Sequence, residues 1–415
     1  MSRVYHTPGS NTVLRSRVQI EQRLLAKVKA NTGARIGTEL ELFVTTPDGK
    51  SVSFNRIEKL LERIAQDFKG VEKATENGRI VALHIPQLGD ICLEPGGQVE
   101  LSSKPCADLQ ELERVNVQMR AALNKAAQHF GLRVKGQGHM PSFVAADDMP
   151  RSRFAAYYRY CRHEIGRSAE ELIRTMKSSN SLQINLDPMG KDFHEVYRAL
   201  MLVDVAVAFN KASQRQARLQ KTYEPFFGEQ TLPVFEVLQA RSNEEVVKLI
   251  VDRLLTLRVP FVPDQSPEGF KSTIDVYGKP LTVGEMLKRG LLTGEILDNA
   301  LSLQLTSPNL RRHGVLETRA HDSVNTTDEL MRVARGYRNA AYNEAARHDL
   351  LKRFEKIDPD LLRAAFNARS TMPEEKLLEM KIGDRLTVRK LLCHVLPEVG
   401  GKAPFRTYDF STEFY

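Results

Sequence analysis

Hydrophobic and polar positions follow two rhythms along this chain, and each predicts its own elements. Spacings of three and four residues mark a helix over 18–30, with Asn31 and Gly33 as a stop. Over 35–44 the rhythm becomes alternation. Ile36, Thr38, Leu40, Leu42 and Val44 take one face, and Glu39 and Glu41 the other, as in a half-buried strand. Helical spacing returns over 55–68, and Asn77-Gly78 predicts a tight hairpin between strands 71–75 and 79–85. A strand over 91–102, interrupted by Pro95-Gly96-Gly97, leads into a long helix over 108–130. Strand 181–187 alternates Leu182, Ile184 and Leu186 with Gln183, Asn185 and Asp187, and a helix with one buried stripe follows over 196–219. Further helices are predicted over 244–255, 283–289, 327–348, 359–367 and 386–396, a strand over 314–320, a loop over 260–269 and a surface segment over 397–404.

Alternation, in place of continuous apolar runs, predicts a mainly antiparallel sheet backed by long helices, an α+β chain without the buried parallel strands of a doubly wound fold. The 415 residues, 41% of them hydrophobic and 27% charged, can bury a sizeable core without crosslinks. They exclude a disulfide miniprotein, a collagen repeat and a wholly disordered chain. No stretch approaches about 18 consecutive apolar residues and residues 1–10 lack an apolar signal core, so a soluble chain with no membrane partner is expected. Cys92, Cys106, Cys161 and Cys393 lie far apart without metal-ligand spacing, which suits a reducing, cytoplasmic setting. The net charge of +8 comes without a basic tail, so it fits anionic small substrates better than nucleic acid.

The polar faces carry the candidate chemistry. Glu39 and Glu41 emerge on one side of a strand about 7 Å apart. Such a pair is either a solvated face or a set of hard oxygen ligands for Mg2+. Glu94, Gln98 and Glu100 flank Pro95-Gly96-Gly97, and Glu317 and Arg319 set an acid beside a guanidinium fork, suited to an ion pair or to phosphate. Arg174, Asn180, Gln183 and Asn185 add donors and acceptors for an amino-acid substrate, while Lys177, Arg311 and Arg312 are anion-binding candidates. His139 and His321 read as surface or structural histidines. Neither common glycine-rich nucleotide fingerprint is present, nor a serine nucleophile elbow, so ATP use would need another architecture and catalysis would be electrostatic.

Four blocks together resemble the glutamate-cysteine ligase superfamily, especially its plant and proteobacterial branch. They are Ile36-Gly37-Thr38-Glu39-Leu40-Glu41; the run from Leu93 through Glu94-Pro95-Gly96-Gly97-Gln98 to Ser102; Arg174-Thr175-Met176 with 181–187; and Val315 to Asp322 around Glu317-Thr318-Arg319. The resemblance implies a glutamine-synthetase-like catalytic fold, a curved and mostly antiparallel sheet forming a funnel. It further implies a catalytic core over 1–325 with a C-terminal helical extension over 326–415 packed on it. The implied activity is ATP-dependent joining of the glutamate γ-carboxylate to an amine, by default cysteine, through an acyl phosphate. The cofactors implied are ATP and Mg2+, and a homo-oligomer is compatible. Carried over by position, Glu39, Glu41, Glu94, Glu100 and Glu317 become metal ligands, with Glu39, Glu100 and Arg319 catalytic. Gln98, Arg174, Asn180, Gln183 and Asn185 become substrate contacts. Lys221 to Phe227 and Thr318, His321 and Asp322 depart from the family pattern, and these bear on the acceptor. The alternatives are a ligase with another amine or carrier-bound acceptor, and an inactive ATP-binding regulatory protein.

Overall fold

Strands whose polar and apolar residues alternate have one apolar face to pack against helices, and here nine of them pair edge to edge into one antiparallel sheet, beside three two-stranded ones among the described residues. The computed structural model describes residues 11–140, 143–145, 149–210, 222, 233–263, 269–303, 308–311, 313–369 and 371–399. The nine strands are β1 (Ile36–Thr45), β2 (Glu72–Glu76), β3 (Arg79–Ile85), β4 (Gly89–Leu93), β5 (Val99–Ser103), β6 (Arg133–Lys135), β7 (Ser181–Leu186), β8 (Asn309–Leu310) and β9 (Leu316–Asp322). Their order is β8-β9-β7-β1-β5-β4-β3-β2, with β6 joined to the far end of β1.

The curved funnel expected from the resemblance is not found. The strand order is an open path, and its ends, β8 and β2, are not hydrogen-bonded to one another. The reason lies in the edges. β8 has two residues, and β2 is a largely exposed Glu-Lys-Ala-Thr-Glu strand whose register with β3 shifts between Ala74 and Thr75. A short strand and a charged, bulged one are both poor templates for further pairing. The α+β class and the antiparallel pairing stand.

Eleven helices matter for the argument: α1 (Arg17–Ala30), α2 (Phe54–Ala65), α3 (Leu109–His129), α4 (Ser152–Ile165), α5 (Ala169–Lys177), α6 (Phe193–Phe209), α7 (Asn243–Thr256), α8 (Gly294–Ser302), α9 (Thr327–Tyr342), α10 (Glu344–Arg353) and α11 (Val388–Val395). Starts are set by side-chain caps. Ser16, Asp108 and Thr326 each accept an N–H three residues on, and Thr326 with Glu329 completes a capping box. Asn343 ends α9 and caps α10, so the single helix expected over 327–348 is two. The helices α4 and α5 have no counterpart in the sequence reading.

The apolar face of the sheet, carrying Leu40, Leu42, Leu101, Ile184 and Leu316, packs against α3, α6 and α9. The helix α6 departs from its expectation. It is buried on nearly every side, from Phe193 to Phe209, because β9 covers one flank while α9, α10 and α11 cover the others. It stops at Asn210. Residues 211–219 of the expected helix, most of the segment Lys221 to Phe227, part of loop 260–269, Arg312 and the tail from 400 lie outside the described residues. At the expected hairpin, Asn77 and Gly78 have φ of 52° and 72°, the left-handed pair a two-residue turn requires.

Candidate active site

Because the helices take the apolar face, the other face of the sheet collects the polar residues. Register aligns them: Glu39 is opposite Gln183 on β7 and Ser102 on β5, Glu41 is opposite Glu100, and Glu317 is opposite Asn185. Two adjoining cavities open above this floor. The smaller, about 170 Å³, is lined by Glu39, Glu41, Glu94, Glu100, Gln183, Arg311 and Arg319, with Phe154, Tyr157, Met176 and Phe261 as an apolar wall. The larger, about 410 Å³, is lined by Gly37, Glu39, Asn185 and Glu317 on the floor and by His84, Asp90 and Ser102 to one side. Glu39, Arg153, Ser302 and Arg311 line both, so the cavities form two lobes of one cleft.

Each acid has a distinct environment. Glu317, 1% exposed, is clamped by Arg311 Nε at 2.7 Å and by Arg319 Nε. Glu41 accepts the Ser181 N–H at 2.6 Å and a Gln183 amide hydrogen at 3.1 Å. Glu39 accepts from Asn185 at 3.0 Å, and Glu100 from the Ser102 hydroxyl at 2.6 Å. Burial, and then the charge of Glu39 with further repulsion from Glu94 and Glu41, pushes the Glu100 carboxyl up to about 8. Burial also opposes the charged form of Glu39, but Arg311, Arg319 and the Asn185 amide hold it below the usual carboxylate range. The two carboxyls are thus driven apart by one cluster of charges, an arrangement that recurs at functional sites.

Sequence reasoning missed Arg153. It sits on α4, is half-buried between the lobes, stacks over Phe154 with its guanidinium 5.2 Å from the ring, and forms no ion pair among the described residues. Burial and then the neighbouring Arg151 push its guanidinium down to about 10. No motif signalled it, because its helix was not read.

Several expected residues are elsewhere. Gln98 is buried as a strut: its Oε1 accepts the Gly96 N–H at 2.6 Å and its amide donates to the Ser179 carbonyl at 3.0 Å, so it lines neither lobe. Arg174 is exposed on α5 and lines neither lobe. Asn180 is buried in the backbone ladder, donating its N–H to Gly138 and accepting from Ser323. Lys177 lies over the Tyr158 ring, and His139 contacts the Ser178 carbonyl. Glu39, Glu41, Glu94, Glu100, Glu317, Gln183, Asn185, Arg311 and Arg319 are brought together along the cleft. The Pro95-Gly96-Gly97 motif is a turn that docks on α5. A Cβ at Gly96 would lie 2.2 Å from the Lys177 carbonyl oxygen.

Among the described residues, no three His, Cys, Asp or Glu side chains converge into a group that could hold a metal ion as they stand. The donor chemistry still fits a hard divalent cation: four carboxylates, Glu39, Glu41, Glu94 and Glu100, line the smaller lobe and supply hard oxygen donors. Glu317 differs, since two arginines already neutralise it.

Residues 35–213, spanning β1 to β7, match glutamate-cysteine ligase family 2. The chloroplastic glutamate–cysteine ligases of Brassica juncea and Arabidopsis thaliana are each 31% identical over 193 residues, 45% of this chain and 36% and 35% of theirs. That of Solanum lycopersicum is 30% identical over 191 residues, 45% of this chain and 35% of its own. The chain thus spans about a third of the length of the curated relatives it matches. Every one of these names is chloroplastic, which overturns the cytoplasmic expectation. Separated free cysteines register a reducing setting and carry no address. No helix among the described residues is long and apolar enough to cross a membrane.

Proposed function

This chain belongs to glutamate-cysteine ligase family 2, within the glutamine-synthetase-like carboxylate-amine ligases, and from that premise we propose that it is an ATP-dependent ligase. It joins the γ-carboxylate of glutamate to an amine, by default cysteine, through an acyl phosphate. Residues 1–325 form the catalytic unit and 326–415 a helical extension. The observation that carries the reading is the cleft itself, where carboxylates from neighbouring strands meet Arg153, Arg311 and Arg319.

Glu39, Glu41, Glu94 and Glu100 would hold Mg2+, which when bound offsets the charge of the ATP phosphates. The apolar wall of Phe154, Tyr157, Met176 and Phe261 suits a nucleobase beside those acids. Arg153 and Arg311, common to both lobes, suit the transferring phosphoryl group, and Gln183, whose buried Oε1 has no hydrogen-bond partner, can accept a hydrogen bond from a substrate ammonium. Asn185 and Arg319 complete the floor.

One observation favours a second reading, a nucleotide-binding protein without catalysis: the Glu317 carboxylate is taken up by two arginines. Incubation with Mg2+, ATP, glutamate and a panel of amines, following ADP and product mass, separates the two. ADP release that needs glutamate, with a condensed product, supports the ligase. ATP binding without such turnover supports the alternative.

A further inference from the structure

We infer that His84, oriented by Asp90, is the base that takes the proton from the incoming amine, an inference that rests on the ligase reading above. His84 on β3 and Asp90 on β4 are directly opposed, and His84 Nδ1 lies 2.6 Å from an Asp90 carboxylate oxygen. Asp90 is 8% exposed, so this contact is a sheltered one. A carboxylate can only accept, so the hydrogen of the neutral imidazole sits on Nδ1 and the lone pair on Nε2. Nε2 has no hydrogen-bond partner among the described residues, and His84 lines the larger lobe together with Glu39, Asn185 and Glu317.

The local backbone holds the pair in place. Gly89 has a φ of 130°, and a Cβ there would lie 2.1 Å from the Ser102 carbonyl oxygen, so only glycine lets β4 lie this close to β5 immediately before Asp90. Ser102, opposite Asp90, donates to Glu100. The base and the acid floor are therefore fixed to the same strands. With the nucleobase at the apolar wall of the smaller lobe, the larger lobe is left for the amine, which reaches the acyl phosphate over Glu39.

The chemical step balances without another reactant. The amine nitrogen attacks the acyl carbon and the C–N bond forms. The C–O bond to phosphate breaks, with its electron pair leaving on inorganic phosphate. Before the attack the incoming ammonium gives one proton to His84 Nε2, which frees the nitrogen lone pair, and Asp90 stabilises the resulting imidazolium; the second proton, shed from nitrogen as the amide forms, leaves on the phosphate. His84 is the catalytic residue here and Asp90 a positioning residue.

The test uses the full chain with Mg2+, ATP and glutamate, and compares cysteine, glycine and ethylamine with hydroxylamine, which is already neutral near pH 7. His84→Gln should lose about 100-fold in product formation with the protonated amines and clearly less with hydroxylamine. Free imidazole should restore part of the activity of His84→Ala, and Asp90→Asn should lower kcat with little change in the KM for the amine. Equal losses for both kinds of nucleophile, or no rescue and no loss, overturn the inference while the ligase reading stands. Wild-type protein that releases no glutamate-dependent ADP removes the ligase reading, and the inference with it.

Discussion

Glu41 and Glu100 stand directly opposite each other on adjacent antiparallel strands, both facing the smaller lobe of the cleft. Like charges so placed destabilise a sheet. Glu100 is 4% exposed, and burial with the neighbouring carboxylates holds it protonated up to about pH 8, so near neutrality the folded state must take up a proton that the unfolded chain does not bind, at a cost in stability. Replacing Glu100 with Gln keeps the shape and removes the burden. Glu100→Gln is expected to raise stability to urea by about 1–3 kcal/mol while lowering glutamate-dependent ADP release by about tenfold or more. A variant that is both less stable and fully active would contradict the assignment of this face to cation binding.

The turn at Pro95-Gly96-Gly97 acts on the site through packing. Its Gly96 has no room for a methyl group, since the obstacle is the backbone carbonyl of Lys177. Gly96→Ala should therefore lift the turn from α5 and cost about 1–3 kcal/mol. Because Glu94 and Gln98 bracket the turn, turnover should fall as well. Thermal unfolding measured beside activity checks both, and an unchanged Tm would show that the turn is slack.

What the sequence made legible here follows from geometry. Single-faced antiparallel strands alternate, so the polar residues of β1, β7 and β9 could be read as one face from their spacing alone. Direction within a cluster could not. Gln98 has the chemistry of a substrate contact, yet its amide is consumed by Gly96 in its own turn and by the Met176 and Ser179 carbonyls, which only the packing of α5 supplies. Arg153 escaped because α4 mixes Arg and Tyr residues without a clean apolar stripe. The open sheet was likewise hidden, since closure depends on whether the edge strands meet, and that is a long-range property. For α6, the run from Ala199 to Phe209 with Asp204 as its one charged residue was the overlooked signal of a helix covered on all sides.

That charged residue supplies another prediction. Asp204, 3% exposed within α6, accepts a hydrogen bond from the Tyr337 hydroxyl on α9. Tyr337→Phe takes a hydrogen-bond donor away from this buried carboxylate. A loss of about 1–3 kcal/mol is expected. Urea unfolding measures it, and Asp204→Asn combined with Tyr337→Phe should lose less than the two single changes added together.

Beside this link lies His321, whose Nε2 is buried without a hydrogen-bond partner and whose ring packs edge-on against Tyr337 with centroids 5.5 Å apart. Burial holds its imidazole down at about 4, against roughly 6.5 in an unfolded chain. The unfolded state therefore binds a proton between about pH 6.5 and 4 that the folded state refuses, and stability rises with pH across that window. The contribution is fully present above about pH 7, falls by up to about 1.4 kcal/mol per unit on acidification, and levels off below about pH 4. Carboxylates add their own dependence at the acid end, so the difference between two proteins is the useful quantity. Urea unfolding of wild-type and His321→Gln protein at pH 7, 5.5 and 4.5 should show the stability gap between them changing steadily with pH, in the direction that favours the variant in acid. A gap that stays constant over that range would mean that His321 titrates normally and is not sealed beneath α9.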